Sequence, residues 1–174
     1  PGGTSPLGVS GAGEDAGASG VLGITETVGI YGQTPNRPVI DGNSVDRVFD
    51  FLADGLLQDV IVQGGSAVGS GIHGVGGGVR CFGGSVLYVI KSVVRNNASA
   101  QMGGGLHGEH CQIALADSLV ENNSVTGSGG GIASRFTNLL ISSSTIRNND
   151  ATAGSSGSSD GGGITTTSVN PDNY

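Results

Sequence analysis

Apolar residues recur at every second position along most of this chain, in short runs broken by glycine and asparagine. From Gly76 the runs repeat as GGGVRCFGGSVLYVIKSVVRNN, GGGLHGEHCQIALADSLVENN and GGGIASRFTNLLISSSTIRNN, and residues 161–164 open a fourth unit. The pairs Asn96 and Asn97, Asn122 and Asn123, and Asn148 and Asn149 keep a fixed step, since 122 − 96 and 148 − 122 are both 26. A constant step of this size marks a repeat architecture. In register, Leu87, Ile113 and Leu139 share a column; Val89, Leu115 and Ile141 share the next, and Val94, Val120 and Ile146 a third. Apolar positions two apart predict strands with one buried face, and the frequent glycines exclude helix. Each unit returns to its starting place one strand spacing along a stack, which predicts a parallel β-helix, an all-β solenoid.

The asparagine pairs serve this design in two ways. Asparagine tolerates the left-handed backbone of a sharp bend, and stacked side chains can hydrogen-bond as a ladder. Asn122, the first of its pair, is expected to stand in the stacked column. Upstream, residues 21–31 alternate as first strands, the prolines of residues 34–38 mark a turn, and Val39 with Ile40 begins a strand. Residues 48–52 and 56–62 read as two further strands. The segment Val62, Gln63, Gly64, Gly65 aligns with Val94, Arg95, Asn96, Asn97, and the longer step there implies an inserted loop at residues 66–74. A second insertion is expected at residues 154–160, on the same side of the solenoid. Residues 1–20 are a low-complexity segment or the remnant of an upstream coil, and residues 21–174 form the β-helix domain. Pro1 is not a natural start of translation, so a removed leader or a longer parent protein is expected.

The pattern GGG-aliphatic, alternating strand, then S-x-[VI]-x-N-N resembles the right-handed parallel β-helix repeats of bacterial surface and secreted proteins. These belong to the pectate-lyase-like superfamily, together with the repeats of polymorphic outer-membrane proteins. The segments VIDGN, DRVFDF and DVIVQGG look like opening coils of such domains. The resemblance covers residues 28–164 and implies a right-handed winding of about six or seven coils of roughly 22–32 residues. It implies little about activity, because that fold hosts lyases, hydrolases, adhesins and inert stalks.

Composition narrows the classes. The chain has 174 residues, 35 of them glycine, with no tryptophan and a formal net charge of −7. Such a chain fills its core with small aliphatics shared between coils. Its acidity argues against nucleic acid and anionic lipid, and no run is long enough to insert in a membrane as a helix.

Several clusters are candidates for chemistry. Arg95, Glu121 and Arg147 alternate in sign just before the bends, and Asp59, Lys91 and Asp117 do so four positions earlier. Opposite charges on neighbouring strands fix register; the second set could alternatively act as a catalytic group resembling a pectin-cleaving site. Asp41, Asp46, Asp50, Asp54 and Asp59 could hold Ca²⁺, although no calcium-loop spacing is present. His107, His110, Cys81 and Cys111 leave three readings open: a Cys81–Cys111 disulfide, two free thiols, or a Zn²⁺ site. The expected function is an extracellular or cell-surface structural or adhesive module without catalysis or cofactor. Its partners would be cell-surface glycans or proteins, or its own copies joined head to tail into fibres. A carbohydrate-active lyase or hydrolase on acidic glycans is the alternative.

Overall fold

Alternation makes strands, and the repeat makes them stack. A computed structural model describes residues 20–33, 35–153 and 160–168. The first turn holds Leu22–Ile24 (β1), Val28–Tyr31 (β2) and Val39–Asp41 (β3). The second holds Phe49–Phe51 (β4), Gly55–Gln58 (β5), Ile61–Gln63 (β6) and Ser66–Ala67 (β7). Val79–Phe82 (β8), Val86–Ile90 (β9), Val93–Arg95 (β10) and Ala98–Ser99 (β11) form the third. Leu106–Glu109 (β12), Gln112–Ala116 (β13), Leu119–Glu121 (β14) and Ser124–Thr126 (β15) form the fourth. Ile132–Arg135 (β16), Asn138–Ser142 (β17), Thr145–Arg147 (β18) and Asp150–Thr152 (β19) form the fifth, and Ile164–Thr167 (β20) opens another.

Four parallel sheets result. Sheet A runs β1-β4-β8-β12-β16-β20, sheet B β2-β5-β9-β13-β17, sheet C β3-β6-β10-β14-β18 and sheet D β7-β11-β15-β19. The fold is a parallel β-solenoid of about 5 turns. That is fewer than the expected six or seven, because a full turn carries four strands and uses 26 or 32 residues. Residues 56–62 are two strands rather than one, since Asp59 adopts a left-handed φ of 55° and breaks the run. Residues 66 and 67 pair in sheet D, so the described insertion is residues 68–74, which end in a 3-10 turn at Gly71–Gly74. Residues 154–159 of the second expected insertion, and residues 1–19 of the low-complexity segment, lie outside the described residues.

The apolar columns fall as the alternation requires. Leu87 pairs with Ile113 and Ile113 with Leu139, while Val94 pairs with Val120 and Val120 with Ile146. Phe49 and Phe51 are wholly buried in the core, their ring centroids 5.7 Å apart. Phe51 lies where a Cβ on Gly55 would collide with its ring, so glycine there makes room for the aromatic.

The bends hold the polar half of the fold. Asn96, Asn122 and Asn148 have φ of 53°, 53° and 51°, and they turn the chain. The ladder is carried by the second asparagine of each pair: Asn97 and Asn123 are buried and Asn149 half-buried. The Asn97 Nδ2 donates to Asn123 Oδ1 at 3.0 Å, and Asn123 Nδ2 to Asn149 Oδ1 at 2.9 Å. The same acceptors take the backbone N–H of Asn97 and Asn123, each at 3.0 Å. Each Nδ2 also donates to a valine carbonyl of the preceding turn, namely Val62, Val94 or Val120. Every polar atom of a buried rung is thereby matched, which is the condition for burying it. Gly105 completes the seat, for a Cβ there would stand 2.9 Å from Asn123 Nδ2.

A second ladder follows the same plan one bend earlier. Lys91, Asp117 and Ser143 are left-handed, and the serine after each points inward. Val60 N–H donates to Ser92 Oγ at 3.2 Å, Ser92 N–H to Ser118 Oγ at 3.0 Å, and Ser118 N–H to Ser144 Oγ at 3.1 Å. Outside, Arg95 pairs in register with Gln63 and Glu121, and Glu121 with Arg147. Arg95 Nε donates to Gln63 Oε1 at 3.0 Å, and Arg147 binds Glu121 Oε2 at 2.9–3.0 Å. These exposed contacts contribute about 0–1 kcal/mol each.

The two asparagines of a pair should respond differently. Asn123→Ala removes an acceptor from a buried N–H and is expected to cost about 2–4 kcal/mol in urea unfolding. Asn122→Gly keeps the left-handed bend and should shift stability by under about 1 kcal/mol. Equal losses would refute the assignment of the rung to Asn123.

Candidate functional site

The sequence-predicted residues separate onto three parts of the solenoid. Asp59, Lys91 and Asp117 stand together as a column on successive turns, at the left-handed bend between sheets B and C. Asp59 faces Arg37 at 4.0 Å. Asp117 lines an open depression of about 340 Å³ with Arg37, Ser143 and Arg147. Their spacing is set by the bend that precedes the serine ladder, which is a structural reason for the column.

The five aspartates do not converge. Asp41 accepts from Asn43 N–H and Gln63, Asp46 from Arg47 N–H, and Asp54 from Val86 N–H. Asp50 is buried against Arg80. Among the described residues no group of three or more His, Cys, Asp or Glu is placed to hold a metal ion. His107 faces outward from sheet A while Cys81 faces the core, so the sheet divides the proposed zinc ligands. His110 has a left-handed φ of 52° and stacks on Phe136 with centroids 4.7 Å apart.

In place of the disulfide expected as one reading, Cys81 and Cys111 are buried free thiols. Cys111 follows the left-handed His110, in the inward place that Ser85 and Thr137 occupy on the adjacent turns. Its sulfur donates to the Cys81 carbonyl at 3.2 Å and lies 3.9 Å from Thr137 Oγ1. Cys81 Sγ lies 3.3 Å from Ser85 Oγ. Cysteine here acts as a rung of a third polar bend. The Cys111 thiol beside it, together with burial, pushes the Cys81 thiol up, while the Cys81 thiol in turn favours loss of the proton from Cys111.

The densest polar cluster was not legible beforehand. On the outer face of sheet A, Asp50, Arg80, His107 and Ala133 occupy one row across β4, β8, β12 and β16. Outward residues of a solenoid are normally solvated, yet these are buried. The inserted loop accounts for part of this. Arg47 donates to the carbonyls of Val75 and Ile72 at 2.9 and 2.7 Å, and Arg80 to that of Ile72 at 3.2 Å. Arg80 also grips Asp50 in a two-pronged pair of 2.7 and 2.6 Å, the strong geometry for a buried ion pair. Glu109 stands 3.3 Å from Arg135 and 3.9 Å from His107 Nε2.

His107 is 1 % exposed and neither ring nitrogen has a hydrogen-bond partner. Burial, with Arg80, Arg47 and Arg135 around it, lowers its pKa to about 4. The ring is a neutral imidazole at pH 7. It has the chemistry of an acid–base group, but it is walled from any polymer outside.

Compared with known proteins, the chain matches no family model, no curated protein and no solved structure. The class is therefore defined by the fold itself, a parallel β-solenoid with an asparagine ladder.

The unfolded imidazole takes up a proton near pH 6.5, the folded one only near 4. Between those values the unfolded chain binds the extra proton, so stability falls as pH falls from 6.5 to 4. The loss attributable to His107 is on the order of 3 kcal/mol. His107→Leu should flatten this part of the profile in urea titrations at stepped pH, with little cost at pH 7. An unchanged difference between pH 7 and pH 4 would show that His107 does not titrate this way. Asp50→Asn breaks the two-pronged pair with the buried Arg80 and should cost about 3–5 kcal/mol at pH 7, seen in the urea midpoint.

Proposed function

We propose that the chain is a structural and adhesive module of a secreted or cell-surface protein, wound right-handed and without catalysis. One observation carries this reading: the buried amides and hydroxyls at the bends bond along the stack and leave none of their donors to a substrate. A stack wired in this way is a stiff rod that holds its outer faces at fixed spacing, as a spacer or adhesive surface requires. The resemblance to repeats of surface proteins agrees with it. So does the acidic charge of −7, which disfavours nucleic acid and anionic membranes. The last strands described, β17 to β20, have neighbours on one side only. Such edges suit continuation by a further coil or by another copy joined head to tail.

The column of Asp59, Lys91 and Asp117 beside an open depression favours one second reading, a lyase or hydrolase of acidic polysaccharides. Product assays separate the two. On polygalacturonate and alginate, release of reducing ends or unsaturated product is expected to stay at the blank. Turnover that disappears in Asp117→Ala would put the enzyme reading in its place.

A further inference from the structure

The outer faces of the four sheets differ in charge. Sheet A carries Asp50, Arg80, Glu109 and Arg135, sheet C carries Asp41, Arg95, Glu121 and Arg147, and sheet D carries Asp150. Sheet B carries none. Its inward residues, among them Leu57, Leu87, Val89, Ile113 and Leu115, are wholly buried, so the alternate positions face out. Not one of those outward positions on β2, β5, β9, β13 and β17 is Asp, Glu, Lys or Arg. Their central row is Gly29, Leu56, Tyr88, Ala114 and Leu140, paired strand to strand along the axis.

This row is apolar and open. Tyr88 is 48 % exposed, Leu140 55 % and Tyr31 64 %. Tyr31 belongs to the same row in space, because its ring folds back over Gly29. A Cβ on Gly29 would stand 2.6–2.9 Å from Cε2, Oη and Cζ of that ring. The backbone of Gly29 is not left-handed, so accommodating the ring is the steric reason for glycine there. Tyr31 thus rests on the backbone and presents the rest of its ring to solvent. Gln112 and Asn138, paired and exposed on adjacent strands, place amides beside the row.

We propose that the outer face of sheet B is a docking face for an uncharged polysaccharide chain lying along the stack axis. The proposal rests on the adhesive reading and gives its ligand a chemistry. Sugar rings present C–H faces that pack on tyrosine and aliphatic surface, and hydroxyls that amides such as Gln112 and Asn138 can bond. A polyanion gains no ion pair on this face and is repelled by the chain's net charge of −7. The dimensions favour a narrow chain over a second protein. Five strands span about 19 Å along the axis, and five residues about 16 Å across it. The resulting flat area of roughly 300 Å² is well below the ~800 Å² per partner of a standard protein interface. It is long enough for several consecutive sugar rings.

Native gels cast with hydroxyethylcellulose, galactomannan, laminarin or polygalacturonate test the proposal. Retardation is expected in at least one neutral gel and not in polygalacturonate. Tyr31→Ala, Tyr88→Ala and Gly29→Ala should each weaken it tenfold or more while the melting temperature stays within a few degrees of the parent. Asp150→Asn, exposed on sheet D, should leave it unchanged. Absence of retardation in every neutral gel, or retardation untouched by the tyrosine substitutions, would overturn the proposal. So would a dimer in sedimentation that Tyr88→Asp dissociates, which would give the face to a second copy. Binding to polygalacturonate that ignores both tyrosines would sink this ligand while leaving the adhesive reading standing. Cleavage of a retained neutral glycan would do the reverse, sparing the face and refuting the non-catalytic reading.

Discussion

The structure depends on how the backbone is satisfied where it bends. A strand in a stack bonds to the strands above and below, but at a bend the N–H groups turn inward with no strand opposite. Left alone in an apolar core, each would cost a lost hydrogen bond. The side-chain oxygens of Asn97, Asn123 and Asn149 take those groups in one bend, and the hydroxyls of Ser92, Ser118 and Ser144 in another. This arrangement requires an acceptor at the same place in each turn. It thereby accounts for the constant step of 26 residues between the rungs of the third, fourth and fifth turns. Extra residues fall between rungs: in the first turn between Tyr31 and Val39, at Gly83 and Gly84, and most of all at the corner between sheets D and A. There the inserted loop lies over the sheet surface and its carbonyls accept from Arg47 and Arg80.

The same constraint marks the limit of what the sequence discloses. The apolar columns could be read directly, since alternation and a step of 26 residues suffice to align them. The rung of the ladder could not be read from alternation. Counting by twos from the buried Val94 puts Asn96 inside, but a left-handed residue consumes one position without alternating. The phase shifts, and Asn97 faces the core while Asn96 turns outward. The serine ladder had a visible signal, a serine one residue after each left-handed Lys91, Asp117 and Ser143, once that phase shift is understood. The row of Asp50, Arg80 and His107 had none. Its steps are unequal, because an inserted loop and the extra residue at Gly83 and Gly84 intervene, and alternation assigns it to solvent. Only the folded loop shows that it is covered.

Four outer faces on one scaffold have separate physical characters. Sheet A is charged and roofed, so its ionic groups act on stability and its imidazole stays neutral. Sheet C carries an Arg147–Glu121 ion pair and an Arg95–Gln63 hydrogen bond along its outer row. Sheet B is flat, open and without charge, a combination that has no evident role in holding the stack together. Because all four are built on the same spacing, each can change its surface residues while the interior stays constant.

The side-chain amides of the ladder all point the same way. The amides of Asn97 and Asn123 each donate one N–H to the asparagine of the following turn, and each Oδ1 accepts from the preceding turn. The solenoid therefore has translational symmetry with a built-in polarity. A copied turn inserted between two others finds a donor on one side and an acceptor on the other, and creates no mismatched junction. Lengthening or shortening of such a chain by whole repeats is accordingly a nearly neutral change for its interior, whereas loss of a few residues from within a turn disrupts every column at once. Length in this architecture is a freely variable trait, whereas the size of a turn varies only where extra residues loop out and leave the rungs in register.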